Sequence, residues 1–83
     1  MKTIYLLYYG KNVEMVAGNL QAIHDKMHSL TPYHAYEYIK SYSWVYRHLK
    51  SSDKVLCVMP LMFDFEIHKM ILETKYLPLL DVS

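Results

Sequence analysis

One cysteine, two glycines and three prolines are all that this 83-residue chain carries of the residues that cross-link, loosen or stiffen a backbone. The lone Cys57 excludes an internal disulfide and favours a reducing compartment. Its setting in the apolar run KVLCVM reads as a small buried thiol rather than a nucleophile. With glycine and proline scarce and 53% of residues hydrophobic, a disordered or fibrous chain is excluded as well. No block of like charge occurs, and the formal net charge is only +1, so neither a duplex nucleic-acid binder nor an acidic mimic of one is indicated. No apolar stretch reaches the roughly 20 residues that span a bilayer. The opening MKTIYLLYYG has a short apolar run broken by tyrosines and no small-residue cleavage site, unlike a signal peptide. These absences lead to the expectation of one soluble, cytoplasmic domain over 1–83, because a second would lack the apolar surface to fold alone.

What is present reads as alternating strands and helices. TIYLLYY (Thr3–Tyr9) is β-branched and aromatic without strict alternation, which suits a strand covered on both faces. Asn12 then caps a helix to about Ser29, with Val13, Val16, Ala17, Leu20, Ile23, His24 and Met27 on one side at 100° per residue. Leu30-Thr31-Pro32 is a break, either a very short strand or a loop in which Thr31 caps a second helix running to about Lys50. Lys54–Met59 is a second strand. Asp64 caps a third helix, roughly Phe65 to Thr74, and Tyr76–Val82 reads as a terminal strand with Pro78 at an edge position. Strands alternating with helices imply a small three-layer α/β domain of the Rossmann/flavodoxin type. Its sheet is expected to be mainly parallel, three- or four-stranded, with about three helices. In such a sheet a ligand lies beyond the carboxyl ends of the strands, which gathers Tyr8, Tyr9, Gly10, Met59 and the Asp64–Glu66 segment.

Four stretches carry a family resemblance: MKTIYLLYYG, the break SLTPY, LKSSDKVLCVMP, and FDFEIHKMILETKYLPLL. In that order the chain resembles a shortened member of the nucleoside 2-deoxyribosyltransferase-like group. The resemblance implies a Rossmann-like fold and a nucleophilic carboxylate that attacks the anomeric carbon of a sugar. Glu66 falls on that position, with Asp64 as a neighbouring acid. A Glu in the first turn of a helix suits the role, since the N-terminal amides favour its ionised form. The chain departs from the family's pattern: bulky PLMFDF replaces the small turn before the glutamate. Without that turn, Asp64 and Glu66 read as an N-cap and a first-turn carboxylate that stabilise a helix, in preference to a catalytic pair. Either way, the chain calls for no cofactor.

The other residues that invite chemistry have structural readings. His24 and His28 stand four apart on the first helix, a metal-binding spacing, but the residue after His24 is Asp25 and no third ligand is placed, so no metal site is expected. Of six methionines, Met27, Met59 and Met70 fit core positions, while Met15 and Met62 have no obvious place.

Aromatic residues are concentrated. YHAYEYIKSYSWVY (33–46) holds six rings in a chain with one tryptophan, nine tyrosines and two phenylalanines. Projected as one helix, Ala35, Tyr38, Ile39, Tyr42, Val45, Tyr46 and Leu49 form a core face. Tyr33, Tyr36, Lys40, Trp44 and Arg47 fall opposite, among Glu37, Ser43 and His48. Trp, Tyr and Arg are the types most enriched at interaction hot spots, and the mixed charge favours a protein over nucleic acid, with single-strand stacking as a rival. The leading expectation is a non-enzymatic binding module, of the kind a phage uses as an inhibitor or host-directed effector. It would engage another protein, or itself, through that face. The alternative is glycosyl transfer by Glu66, or nucleotide binding without chemistry.

Overall fold

Gly10 and Lys11 make a two-residue turn. Gly10 has φ 61°, the left-handed backbone that glycine adopts without a Cβ clash. The computed structural model describes residues 1–73. In it, this turn joins β1 (Lys2–Tyr9) to β2 (Asn12–Ala17) as an antiparallel hairpin. There follow α1 (Leu20–Leu30), a 3₁₀ helix over Tyr33–Tyr38, α2 (Tyr42–Ser51), β3 (Lys54–Cys57) and β4 (Phe65–Leu72). The sheet has the order β2-β1-β4-β3, and every neighbouring pair is antiparallel.

This overturns the expected mainly parallel, Rossmann-like sheet with three helices. Two segments whose spacing fits a helix form strands instead. Val13–Ala17 satisfies a helical spacing, but a two-residue turn returns the chain directly along β1, and the β-branched Val13 and Val16 suit a strand. The helix begins only at Leu20, where Asn19, not Asn12, caps it: the Asn19 side-chain oxygen accepts from Ala22 N at 2.8 Å. Phe65–Leu72 is likewise a strand and not a helix. Phe65 and Ile67 are fully buried while Glu66 and His68, which alternate with them, are not, which is a period of two. β4 pairs along its whole length with β1, from Lys2↔Leu72 to Tyr9↔Phe65.

The remaining assignments fare unevenly. The first strand matches within one residue, and Lys54–Met59 ends two residues early, at Cys57. Leu30–Pro32 forms no strand. Thr31 instead closes α1, its hydroxyl donating to Met27 O at 2.7 Å, and Pro32 prevents the helix from continuing. The second helix is divided: a 3₁₀ turn, a break at Ile39–Ser41, and then α2, whose N-cap Ser41 accepts from Trp44 N at 3.2 Å. The expected strand Tyr76–Val82 lies outside the described residues.

Both helices pack on one face of the sheet, α1 over β2 and β1, α2 over β3. Between the layers lie Leu7, Ile23, Met27, Val45, Cys57, Phe65 and Ile67, each nearly or wholly inaccessible to solvent. Burial of each large side chain here contributes about 1.5–3 kcal/mol. Lys69, on the helix side of β4, is held by its ammonium donating to Leu49 O at the end of α2. Of the methionines, Met27 and Met59 are buried as expected and Met70 is exposed, while Met15 and Met62 pack against the core from its margin. No helix among the described residues is long and apolar enough to cross a membrane.

Candidate functional site

The broken helix redistributes the aromatic run. Because α2 starts only at Tyr42, the register assumed for Tyr33–Ser41 does not carry into it. Ala35, Ile39, Val45 and Leu49 reach the core as projected, yet Tyr38 and Tyr46 are close to half exposed. Tyr33 is 86% exposed and Tyr36 leans against it, ring centroids 5.4 Å apart. Tyr36 also meets His28 edge-on at 4.9 Å. His28 lies 4.8 Å from His24, and His24 meets Tyr42 edge-on at 6.1 Å. Tyr42 stacks with Tyr46 at 6.1 Å, and the Lys50 ammonium sits 4.8 Å over Tyr46. Six rings therefore form one continuous row from the 3₁₀ turn across α1 to α2.

The row is held by its backbone contacts. His24 Nε2 lies 2.9 Å from Lys40 O, which ties α1 to the break before α2. His28 Nδ1 lies 3.1 Å from His24 O, fixing its ring towards Tyr36. Both histidines use a ring nitrogen in this way, and no cluster of three or more metal-ligating side chains occurs among the described residues. At the Tyr46 end the row borders a hollow of about 190 Å³ lined by Tyr5, Leu20, Tyr46, Leu49, Lys50 and Lys69. Burial pushes the Tyr5 hydroxyl above its ordinary pKa, and the nearby Tyr42 and Tyr46 add to the shift.

Trp44 belongs elsewhere. It is half-buried against the core and stacks on His48, centroids 3.7 Å apart, with the Lys40 ammonium 5.1 Å over its ring. Arg47 Nε donates to Ser43 O on the same helix. The five residues expected to share a face thus divide into Tyr33 and Tyr36 in the row, and Lys40, Trp44 and Arg47 on the flank of α2. Sequence reasoning missed His24, His28, Tyr42 and Tyr46 as members of the row. The one sequence signal that reveals the break is Ser41, an N-cap residue standing inside the run.

A second feature lies at the turn end of the sheet. Tyr9, Gly10, Lys11, Asn12, Leu56, Phe63, Asp64 and Glu66 line an open cleft of about 430 Å³. Four residues of the expected ligand site or its neighbouring acids, Tyr9, Gly10, Asp64 and Glu66, are there. Tyr8 instead pairs with Glu66 across the sheet and packs on His68 at 4.5 Å, and Met59 is buried beneath. The helix N-terminus expected to favour an ionised Glu66 is absent, since Glu66 stands on β4. Its Oε1 lies 3.4 Å from His68 Nε2. Asp64 caps no helix: its Oδ1 accepts from Met59 N at 3.0 Å and pins the loop from β3 to β4.

No protein-family model matches the chain, and no curated protein or solved structure matches it.

Proposed function

We propose that the protein is a non-enzymatic module that binds another protein through the ring row. The observation that carries this reading is the unbroken succession Tyr33–Tyr36–His28–His24–Tyr42–Tyr46, exposed at both ends and fixed from behind by backbone contacts. Tyrosine has few rotatable bonds, and rings that already pack on one another lose little freedom on binding. Their hydroxyls are available to a partner's polar groups, and the hollow beside Tyr46 offers a seat for one inserted side chain. The elements that carry the row bear charges of both signs, Asp25 on α1, Glu37 in the 3₁₀ helix and Lys50 on α2, which favours a protein surface over a phosphate backbone.

The test is retention of a partner from cell lysate, its identification, and titration with the purified pair. Tyr33→Ser with Tyr46→Ser is expected to weaken binding by tenfold or more, about 1.4 kcal/mol. Both side chains are largely outside the core, so the thermal midpoint should stay unchanged. Undiminished binding by the folded double variant overturns the reading.

A second reading rests on the cleft, whose volume lies within the range of small-molecule sites. It would take a small aromatic, polar molecule such as a nucleoside, with Phe63 and Tyr9 offering rings and Glu66 an acceptor. A thermal shift with nucleosides or mononucleotides that disappears in Glu66→Gln supports it; no shift with any of them removes it.

A further inference from the structure

We infer that the hollow beside Tyr46 takes an acidic side chain of the bound protein, a glutamate whose carboxylate is received by Lys50 and Lys69. The inference deepens the proposed function and rests on the ring row being the surface that binds.

Four elements build the hollow. Thr3 and Tyr5 come from β1, Leu20 from α1, Tyr46, Leu49 and Lys50 from α2, and Lys69 and Ile71 from β4. Leu20 and Leu49 are buried and supply an apolar wall, along which the methylene groups of a long side chain can pass. The volume of about 190 Å³ falls below the range of small-molecule sites, which suits one inserted group rather than a whole ligand. Tyr46 is both the last ring of the row and part of this wall, so a partner lying along the row reaches the hollow.

The charges on the wall are of one sign. Lys50 and Lys69 line it, and no carboxylate does among the described residues. Both ammonium groups are fixed against the wall: Lys69 donates to Leu49 O, and Lys50 sits 4.8 Å over the ring of Tyr46. An ammonium carries three N–H groups, so a single bond to a carbonyl, or a ring beneath it, leaves donors to offer. Burial holds the Tyr5 hydroxyl above its ordinary pKa, which keeps it protonated, and it can donate to the same group. Two cations on one small hollow repel each other, and a carboxylate between them turns that repulsion into two charge-assisted bonds.

A carboxylate fits this wall better than a phosphate. Neither an arginine fork nor a helix N-terminus, the usual phosphate receivers, is among the described residues that line it. The helix end beside it is the C-terminus of α2, whose carbonyls oppose a doubly charged group more than a singly charged one. Glutamate is favoured over aspartate because its longer stem covers more of the apolar wall.

The test is an NMR titration of the full chain with the blocked tripeptide acetyl-tyrosyl-glutamyl-tyrosine amide. The amide signals of Tyr5, Tyr46, Lys50 and Lys69 are expected to shift together and saturate in the millimolar range. The glutaminyl peptide should bind more weakly by about fivefold or more, and added salt should weaken the glutamyl peptide selectively. Lys50→Glu, at an exposed position, should reverse the preference towards the lysyl peptide. Equal binding of the glutamyl and glutaminyl peptides, no saturable shift, tighter binding of the phosphoseryl peptide, or a glutamyl affinity unaltered by Lys50→Glu overturns the inference. The titration needs no partner, so the two readings fail separately. Partner binding undiminished in the Tyr33→Ser, Tyr46→Ser variant removes the row, whereas peptides that bind alike remove only the acidic seat.

Discussion

The ring of Phe63 closes over the α-carbon of Gly10: a Cβ at that glycine would stand 3.1 Å from Phe63 Cγ. Phe63 also meets Tyr9 edge-on, at 5.5 Å, and Gly10 N donates to Asp64 O at 2.9 Å. The hairpin turn and the loop from β3 to β4 are therefore locked together, and this lock shapes the cleft between them.

Gly10→Ala should be destabilising twice over. The left-handed φ costs an alanine about 1–2 kcal/mol, and the methyl crowds the Phe63 ring. Adding Phe63→Ala relieves the crowding but not the backbone term. In denaturant titrations the double variant should therefore lose less than the sum of the two single losses.

Leu61 is the non-glycine residue with positive φ among those described, at 59°, and its side chain is fully exposed. Leu61→Gly removes the backbone strain and sacrifices little packing. Stability is expected to rise by about 0.5–1 kcal/mol, read as a higher denaturation midpoint at unchanged slope.

Cys57 is wholly buried, and burial pushes its thiol up. A group whose folded pKa exceeds its unfolded one stabilises fully below the unfolded value and loses that contribution as pH rises through the folded value. Stability should accordingly decline above about pH 8.5, and Cys57→Ala should flatten that decline while lowering stability at neutral pH. Alkylation of the native chain at pH 7 should be slow and should accelerate with denaturant.

Removing either helix cap, Asn19→Ala or Ser41→Ala, should cost about 1 kcal/mol. Far-UV circular dichroism during thermal unfolding would report it. The Ser41 change should additionally loosen the entry of α2, so the Trp44 fluorescence should shift more than in the Asn19 variant.

Phe65→Ala removes the largest fully buried side chain, where β4 meets both β1 and β3. A loss of about 3–5 kcal/mol is expected. Against the margin of so small a domain, that should leave much of the chain unfolded at 37 °C, seen as lost near-UV dichroism.

Much was legible in the residues themselves. The β-branched run of β1, the apolar KVLC, and the spacing of Leu20, Ile23 and Met27 each describe local structure that needs no distant partner to be recognised. The cleft was half legible: an expected parallel order gathered Tyr9, Gly10, Asp64 and Glu66, and the antiparallel pairing of Tyr9 with Phe65 brings the same residues together for a different reason. The aromatic run was read as one helix because its spacing allows it. Ser41, which ends that reading, is a cap only if the backbone before it leaves the helix.

What the sequence alone determined was the list of buried side chains around Ile23, Met27, Val45, Leu49 and Cys57, together with the near-neutral charge and the aromatic surplus. Tertiary structure decided the period of Val13–Ala17 and of Phe65–Leu72, since both fit a helix locally and become strands by pairing with β1 on its two sides. A strand's hydrogen bonds lie on another segment, so its free energy is not contained in its own residues. The ring row was decided in the same way: His24, Tyr36 and Tyr46 come from three separate elements, and only their packing makes them one surface.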